Sequence, residues 1–191
     1  MKFAKYLSSE LAQNGINIIS GYAKGVDSIA HNSALQADGT TTMVLSYGIL
    51  NFSLKKDFQD VNTKRDLLVV SQFIPKDRWR ARNAMQRNKL VCALSKGVIV
   101  IQSGPEKDKD GRSSGTFNAG KNALKMGLPL FVVSPSELNN DKKIAGNEDL
   151  IKLGAIEITK ENAIDKISST VKAIQTDIDQ IRKFEQMQLF N

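Results

Sequence analysis

Short, uninterrupted apolar runs alternate with stretches of helical apolar spacing along most of this chain. Phe3, Tyr6, Leu7 and Leu11 recur at helical intervals, and Asn14-Gly15 closes that helix. Residues 16–19 read as a short strand and 28–37 as a helix closed by Asp38-Gly39. The β-branched run 41–45 predicts a strand leading into Tyr47-Gly48. A short helix over 54–58, a strand over 67–70, a helix over 80–94 and a strand over 97–101 follow. The polar stretch 103–114 reads as a loop, 116–126 as a helix stopped by Gly127, and 130–133 as a strand; 150–158 holds a last short strand. The run at 97–101 lacks polar alternation, as in a parallel sheet covered on both faces. Such alternation predicts an α/β fold, with an open, doubly wound, mostly parallel sheet and helices on both faces. Ligands of such sheets sit at the C-terminal ends of the strands, where Ser20, Ser46, Ser71, Gln102 and Ser134 fall.

The end of the chain has a different pattern. Ile164, Ile167, Val171, Ile174, Ile178 and Ile181 repeat every three or four residues, predicting a long amphipathic helix. Its narrow stripe suits packing on the domain and a coiled-coil contact with another chain equally. The expected organisation is a sheet domain over 1–158, then a helix and tail over 159–191.

Charge adds a partner class to this picture. The 191 residues carry a net charge of +7, with a pI near 9.5, which points to a polyanion and first to nucleic acid. The single cysteine, Cys92, excludes an internal disulfide and a cysteine-rich zinc site; within Leu90-Val91-Cys92-Ala93-Leu94 it reads as a buried helix face. One histidine, one cysteine and scattered carboxylates make no metal cluster. Lys2, Lys5 and Glu10 interrupt any signal-peptide core, and no run reaches membrane-spanning length. The expected location is the cytoplasm, with no membrane partner.

Three stretches carry candidate chemistry. Ser20-Gly21-Tyr22-Ala23-Lys24-Gly25-Val26-Asp27 joins a strand to a helix. Glycines there let backbone N–H groups approach an anion, and the helix N-terminus adds partial positive charge, so Ser20, Gly21 and Gly25 are phosphate-binding candidates. The loop ending in Ser114-Gly115-Thr116 has the same strand-to-helix setting; helix capping by Ser113 or Ser114 is compatible with phosphate binding there. The stretch 76–89 sets Arg78, Arg80, Arg82, Arg87 and Lys89 around Trp79, the one tryptophan. Cations neutralise phosphates and an aromatic ring stacks on a base, which suits single-stranded nucleic acid; the bland alternative is a solvated helix face. Asp27 and His31 share a helix face. A nucleophile system with Ser20 lacks the flanking-glycine turn, so Asp27 reads as the helix N-cap and His31 as locally hydrogen-bonded.

Taken together, these residues resemble the DNA-processing protein A (DprA/Smf) family. Its block Ser-Gly-x-Ala-x-Gly-Ile-Asp-x-x-Ala-His stands here as Ser20 to Asp27 with Ala30 and His31, Val26 replacing isoleucine. The block Phe-Pro-x-Arg-Asn-Arg-Ile-Ile-x-x-Leu-Ser stands as Ala84, Met85, Arg87, Asn88, Lys89, Leu90, Val91, Leu94 and Ser95. Ser-Gly-(Ser/Thr) followed by a helical alanine matches Ser114, Gly115, Thr116 and Ala119. Gly-x-Asn-x-Leu-Ile-x-x-Gly-Ala is approximated by Gly146, Asn147, Leu150, Ile151, Gly154 and Ala155. The resemblance implies a Rossmann-like domain that binds single-stranded DNA, helps load the RecA recombinase and forms a homodimer, without catalytic turnover or cofactor. By it Lys24, Arg87, Asn88 and Lys89 face the DNA phosphates.

Departures from the family pattern set further expectations. The family's domain opens with a strand ending in Gly-Ser-Arg, whereas this sequence starts at the first helix; without that central strand, sheet edges would be exposed. Lys89 replaces an arginine and cannot reproduce its bidentate phosphate contact. The family's C-terminal winged-helix domain gives way to the long helix. At its end, Gln186-Met187-Gln188-Leu189-Phe190 resembles the Gln-x-x-Leu-Phe peptide that docks on the bacterial sliding clamp; a helix end packing Leu189 and Phe190 is the plainer reading. Two alternatives to DNA binding stand beside it: a nucleotide-binding or nucleoside-monophosphate-cleaving Rossmann-like enzyme, and an inactive adaptor.

Overall fold

The computed structural model describes residues 1–58, 63–138 and 145–189. The apolar runs pair as parallel strands in two groups. β1 (Ile18–Ser20), β2 (Thr41–Leu45) and β3 (Leu67–Ser71) form one three-stranded sheet in that order, and β4 (Val98–Val100), β5 (Leu130–Val133) and β6 (Ile156–Ile158) form the other. Ile18 lies opposite Thr41, Thr41 opposite Leu67, Val98 opposite Leu130 and Phe131 opposite Ile156. Parallel neighbours need crossover connections. The helices are α1 (Lys2–Gln13), α2 (Val26–Gln36), the short α3 (Thr63–Asp66), α4 (Ala81–Ala93), α5 (Gly115–Lys125), α6 (Ala145–Lys152) and α7 (Ala163–Leu189). Doubly wound α/β architecture is present, with one difference from a continuous sheet. Among the described residues β1 and β4 have no strand on their second side, so the sheet is two halves with these edges flanking one cleft.

Alternation along the strands sends side chains to two helical layers. In β5, Phe131 and Val133 join Phe3, Leu7 and Leu11 of α1 and Ile167 of α7. Leu130 and Val132 join Cys92 of α4, Phe117 and Ala123 of α5 and Leu150 of α6. A third cluster packs Leu35 of α2 against Met43 and Leu45 of β2, with Tyr22 and Phe58. Cys92 is fully buried, the core position read from its neighbours.

The stretch 150–158 holds the expected short strand, β6, and α6, which was not expected, runs into its first residues. The anchor of α6 is Asn147, fully buried between the two layers. The amide nitrogen donates to the carbonyls of Ile101 (3.0 Å) and Val133 (2.9 Å), and Oδ1 accepts the Ser103 N–H (2.7 Å). Asn147 thereby ties the C-terminal ends of β4 and β5. Gly146 is required beside it, because a Cβ there would lie 2.0 Å from the Gly104 carbonyl oxygen. Asn147→Ala leaves these buried groups unpaired and is expected to cost about 2–3 kcal/mol, read as a lower urea midpoint at unchanged slope.

The first turns of α7 join the core through Ala163 and Ile167, and Lys96 donates to Gln175 farther along. The apolar stripe then emerges, until Ile181 is 58% exposed. Phe190 and the side chains of Gln186 and Leu189 lie outside the described residues. No helix among the described residues is long and apolar enough to cross a membrane.

Candidate nucleic-acid interface

The loop after β1 is held from beneath. Gly25, with φ +92°, adopts a backbone conformation that other residues avoid, and it is the N-cap of α2. The Tyr22 ring sits in the apolar cluster, and its hydroxyl accepts the Lys55 N–H (2.7 Å) and donates to the Ser53 carbonyl (3.2 Å). The Lys55 ammonium lies 4.0 Å from the Tyr22 ring centre and donates to the Tyr22 carbonyl (3.0 Å) and Ser28 Oγ (2.8 Å). Asp27 corrects the sequence reading. Its carboxylate closes the loop by accepting the Ala23 N–H (3.1 Å), and α2 has no side-chain cap. Lys55 was not singled out in the sequence, because it lies outside every motif and meets the loop only through the fold.

Arg87 comes from α4 and lies over this loop. It is 7% exposed, yet its Nε has no hydrogen-bond partner. Among the described residues no carboxylate lies within ion-pair distance of it. Burial pushes its pKa down, and Asp27 partly opposes this. A guanidinium keeps its proton even so. The loop therefore faces a largely desolvated cation that no carboxylate among the described residues pairs within ion-pair distance. Gly21 makes the approach: a Cβ there would fall 1.2 Å from Arg87 Nη1. Gly21→Val is accordingly expected to expel the guanidinium and weaken anion binding at least tenfold. A sulfate or oligonucleotide titration checks this, and retained affinity would detach Gly21 from the site.

The opposite wall of the cleft is the start of α5. Ser114 caps it, Oγ accepting the Phe117 N–H at 3.2 Å, as one sequence reading held. First-turn N–H groups such as those of Gly115 and Thr116 have no intrahelical acceptor and favour anions. Asn88 donates to the Gly115 carbonyl (3.0 Å), so this side chain also braces α4 against α5. Ser20, Gly21, Lys24, Arg87, Gly115 and Thr116 are brought together at one end of a cleft of about 820 Å³, with Asn88 also on its wall. Ser114 and Gly25 shape the loops without lining it.

Arg78, Arg80, Arg82 and Lys89 are exposed and do not line the cleft. Trp79 is 61% exposed. The strap carrying them is fixed: Gly48 N–H donates to the Asp77 carbonyl (2.8 Å) and Leu50 N–H to that of Pro75 (2.9 Å). It runs directly into α4, whose Ala84 and Met85 line the cleft. The basic, aromatic strap thus leads to the cleft mouth.

His31 does not complete a nucleophile system. It is fully buried, and Nδ1 lies 2.7 Å from Thr41 Oγ1, which itself donates to the Ile18 carbonyl (2.6 Å). Burial holds its pKa down to about 4.

Comparison with known proteins places the chain in a family. The model of a family described as DNA recombination-mediator protein A matches residues 1–171. The chain is 29% identical to protein Smf of Escherichia coli over 85% of its own length and 42% of that protein's. It is 31% identical to DNA processing protein DprA of Bacillus subtilis over 78% and 48% of the two lengths. It thus spans about half the length of these curated relatives. The structure of DNA processing protein A from Helicobacter pylori, described for a unique single-stranded DNA binding mode, matches with TM-score 0.69 at 29% identity, over 88% of this chain and 73% of that one.

Proposed function

Because the chain belongs to the DNA recombination-mediator protein A family, we propose that it binds single-stranded DNA at the C-terminal edge of its sheet, in DNA processing or recombination. The observation that carries this is Arg87, desolvated and without an ion pair among the described residues, beside Gly21 and on the same cleft as the N-terminus of α5. A phosphate supplies the missing negative charge and accepts from the Gly115 and Thr116 amides. Lys24 adds charge at the mouth, and Trp79 with Arg78, Arg80 and Arg82 offers bases a stacking surface along a basic track. Lys89 adds to the field from the exposed side of α4. The site positions anions and does not activate a nucleophile, since neutral His31 is committed to Thr41.

The finer partners belong to the same proposal. The stripe at Ile174, Ile178 and Ile181, half-buried at the first two and exposed at Ile181, supports a homodimer contact, the family description supports recombinase loading, and the tail motif supports a sliding-clamp contact. The reading places the chain in the cytoplasm. The test is fluorescence anisotropy of labelled oligo-dT and matched duplex at two salt concentrations. Each neutralised phosphate of a single strand is expected to contribute about −0.7 to the slope of log K against log salt. Tighter binding to the single strand with a slope near −2 or steeper supports the proposal; salt-independent binding overturns it.

A further inference from the structure

Tyr22 holds a backbone conformation that bulky residues rarely adopt. Its φ is +59°, in the left-handed region, where a large side chain is strained. Strain of this kind persists only where the surroundings over-determine it, and it gathers at ligand clamps. The segment 52–58 supplies those surroundings. The Tyr22 ring centre lies 5.5 Å from that of Phe52 and 5.8 Å from that of Phe58, and the hydroxyl is bonded to the Ser53 carbonyl and the Lys55 N–H. One side chain of the loop 20–27 is thereby gripped along the length of that segment.

Lys55 grips the loop in return. Its ammonium has three N–H groups and three acceptors: the carbonyls of Tyr22 (3.0 Å) and Ala23 (3.4 Å) and Ser28 Oγ (2.8 Å). Ser28 Oγ itself donates to the Ala23 carbonyl (2.7 Å), while the Asp27 carboxylate holds the Ala23 N–H. Gly21, Ala23 and Lys24 line the cleft, and Tyr22, Ser28 and Lys55 do not. A loop seats an anion when its N–H groups face the anion and its carbonyls point elsewhere. Two carbonyls of this loop are taken by a lysine that does not line the cleft. With its N–H groups committed to them and to Ser28, that lysine has none to offer a phosphate.

We propose that Lys55 is a positioning residue of the anion site. With Tyr22 it turns the loop's carbonyls off the cleft and keeps Gly21 beside Arg87, and so sets the affinity for single-stranded DNA without touching the strand. This rests on the reading that the strand binds at this end of the cleft. Affinity then depends on a residue that neither lines the cleft nor belongs to the basic stretch 76–89.

The test compares the full chain with two variants. Lys55→Met keeps the stem and removes the charge; Tyr22→Phe keeps the ring and every charge but removes both hydroxyl bonds. Oligo-dT is expected to bind each variant at least tenfold more weakly, with the slope of log K against log salt unchanged. A lysine that neutralised a phosphate would take about 0.7 off that slope when removed, and this result overturns the proposal. So does weaker binding by Lys55→Met alone, which would make the effect one of charge and not of position. The double variant is expected to bind within about twofold of Lys55→Met, because residues that act as one unit are not additive, and fully additive losses overturn the proposal. A lower urea midpoint with unchanged affinity of the folded protein overturns it as well, by leaving Lys55 a purely structural role. Amide exchange in the free chain needs no DNA. At the Ala23 N–H it is expected to speed at least tenfold in both variants, with the rate at buried Val44 unchanged. Equal rates at Ala23 overturn the proposal whether or not DNA binds, whereas an unmodified chain that fails to bind oligo-dT overturns the DNA reading and leaves the exchange rates to decide the role of Lys55.

Discussion

Arg87→Met is expected to abolish most single-stranded DNA binding and to leave the protein as stable as before, or more so. The two effects have one cause. Arg87 is nearly buried, its Nε is unpaired, and no carboxylate neutralises it within ion-pair distance among the described residues. The fold holds a charge whose desolvation Asp27 only partly offsets, and burial depresses its pKa for that reason. Methionine fills similar space without the charge, so stability is expected to rise by about 1 kcal/mol. Bound phosphate loses a charge-assisted contact in a partly desolvated site, worth about 2–4 kcal/mol, or roughly thirty- to a thousand-fold in Kd. Anisotropy with oligo-dT and urea melts on the same preparations check both halves. A structural role for Arg87 would give the opposite pair, lost stability with retained affinity.

What the sequence revealed, and what it hid, divides along physical lines. The strands at 41–45 and 130–133 coincide with β2 and β5 to the residue, because strands covered on both faces are β-branched or apolar runs with sharp ends. The exposed edges expected from a missing central strand exist as β1 and β4, though as partners across one cleft. α6 was hidden because eight residues are too few for a clear period. The role of Asn147 rests on carbonyls 46 and 14 residues away. The basic stretch was legible as charge and not as geometry: Arg80, Arg82 and Lys89 are exposed, while Arg87 on the same helix turns inward. Identical residue types in one run thus divide into an exposed track and a buried side chain beside Gly21, and only the packing of α4 on the Gly21 loop separates them. Lys55 and Tyr22, which hold that loop from beneath, sit 33 residues apart.

Acid is expected to destabilise this protein through His31 before its carboxylates titrate. Thr41 Oγ1 donates to the Ile18 carbonyl, so toward His31 it accepts, and the proton is on Nδ1. Nε2 is then a buried lone pair without a partner. A second proton would create a buried imidazolium. Burial is the largest obstacle to it, Lys55 and Arg87 add repulsion, and Asp27 alone opposes them, so the folded pKa falls from 6.5 to about 4. Between those values the unfolded chain binds more protons, and stability rises with pH. The contribution of His31 is complete above about pH 6.5 and is lost progressively as pH falls toward 4, reaching about 3 kcal/mol. Urea midpoints measured between pH 7.5 and 4.5 should show this slope in the natural protein. In His31→Asn, an amide nitrogen can still donate toward Thr41 but nothing titrates in that range, so the slope should flatten even though the variant starts less stable. Equal slopes in both proteins would remove His31 as the cause. The same bond chain runs from α2 through Thr41 to the carbonyl of Ile18, two residues before Ser20. The loss at low pH should therefore reach the phosphate loop first, and oligo-dT affinity should fall at a pH where most of the protein is still folded.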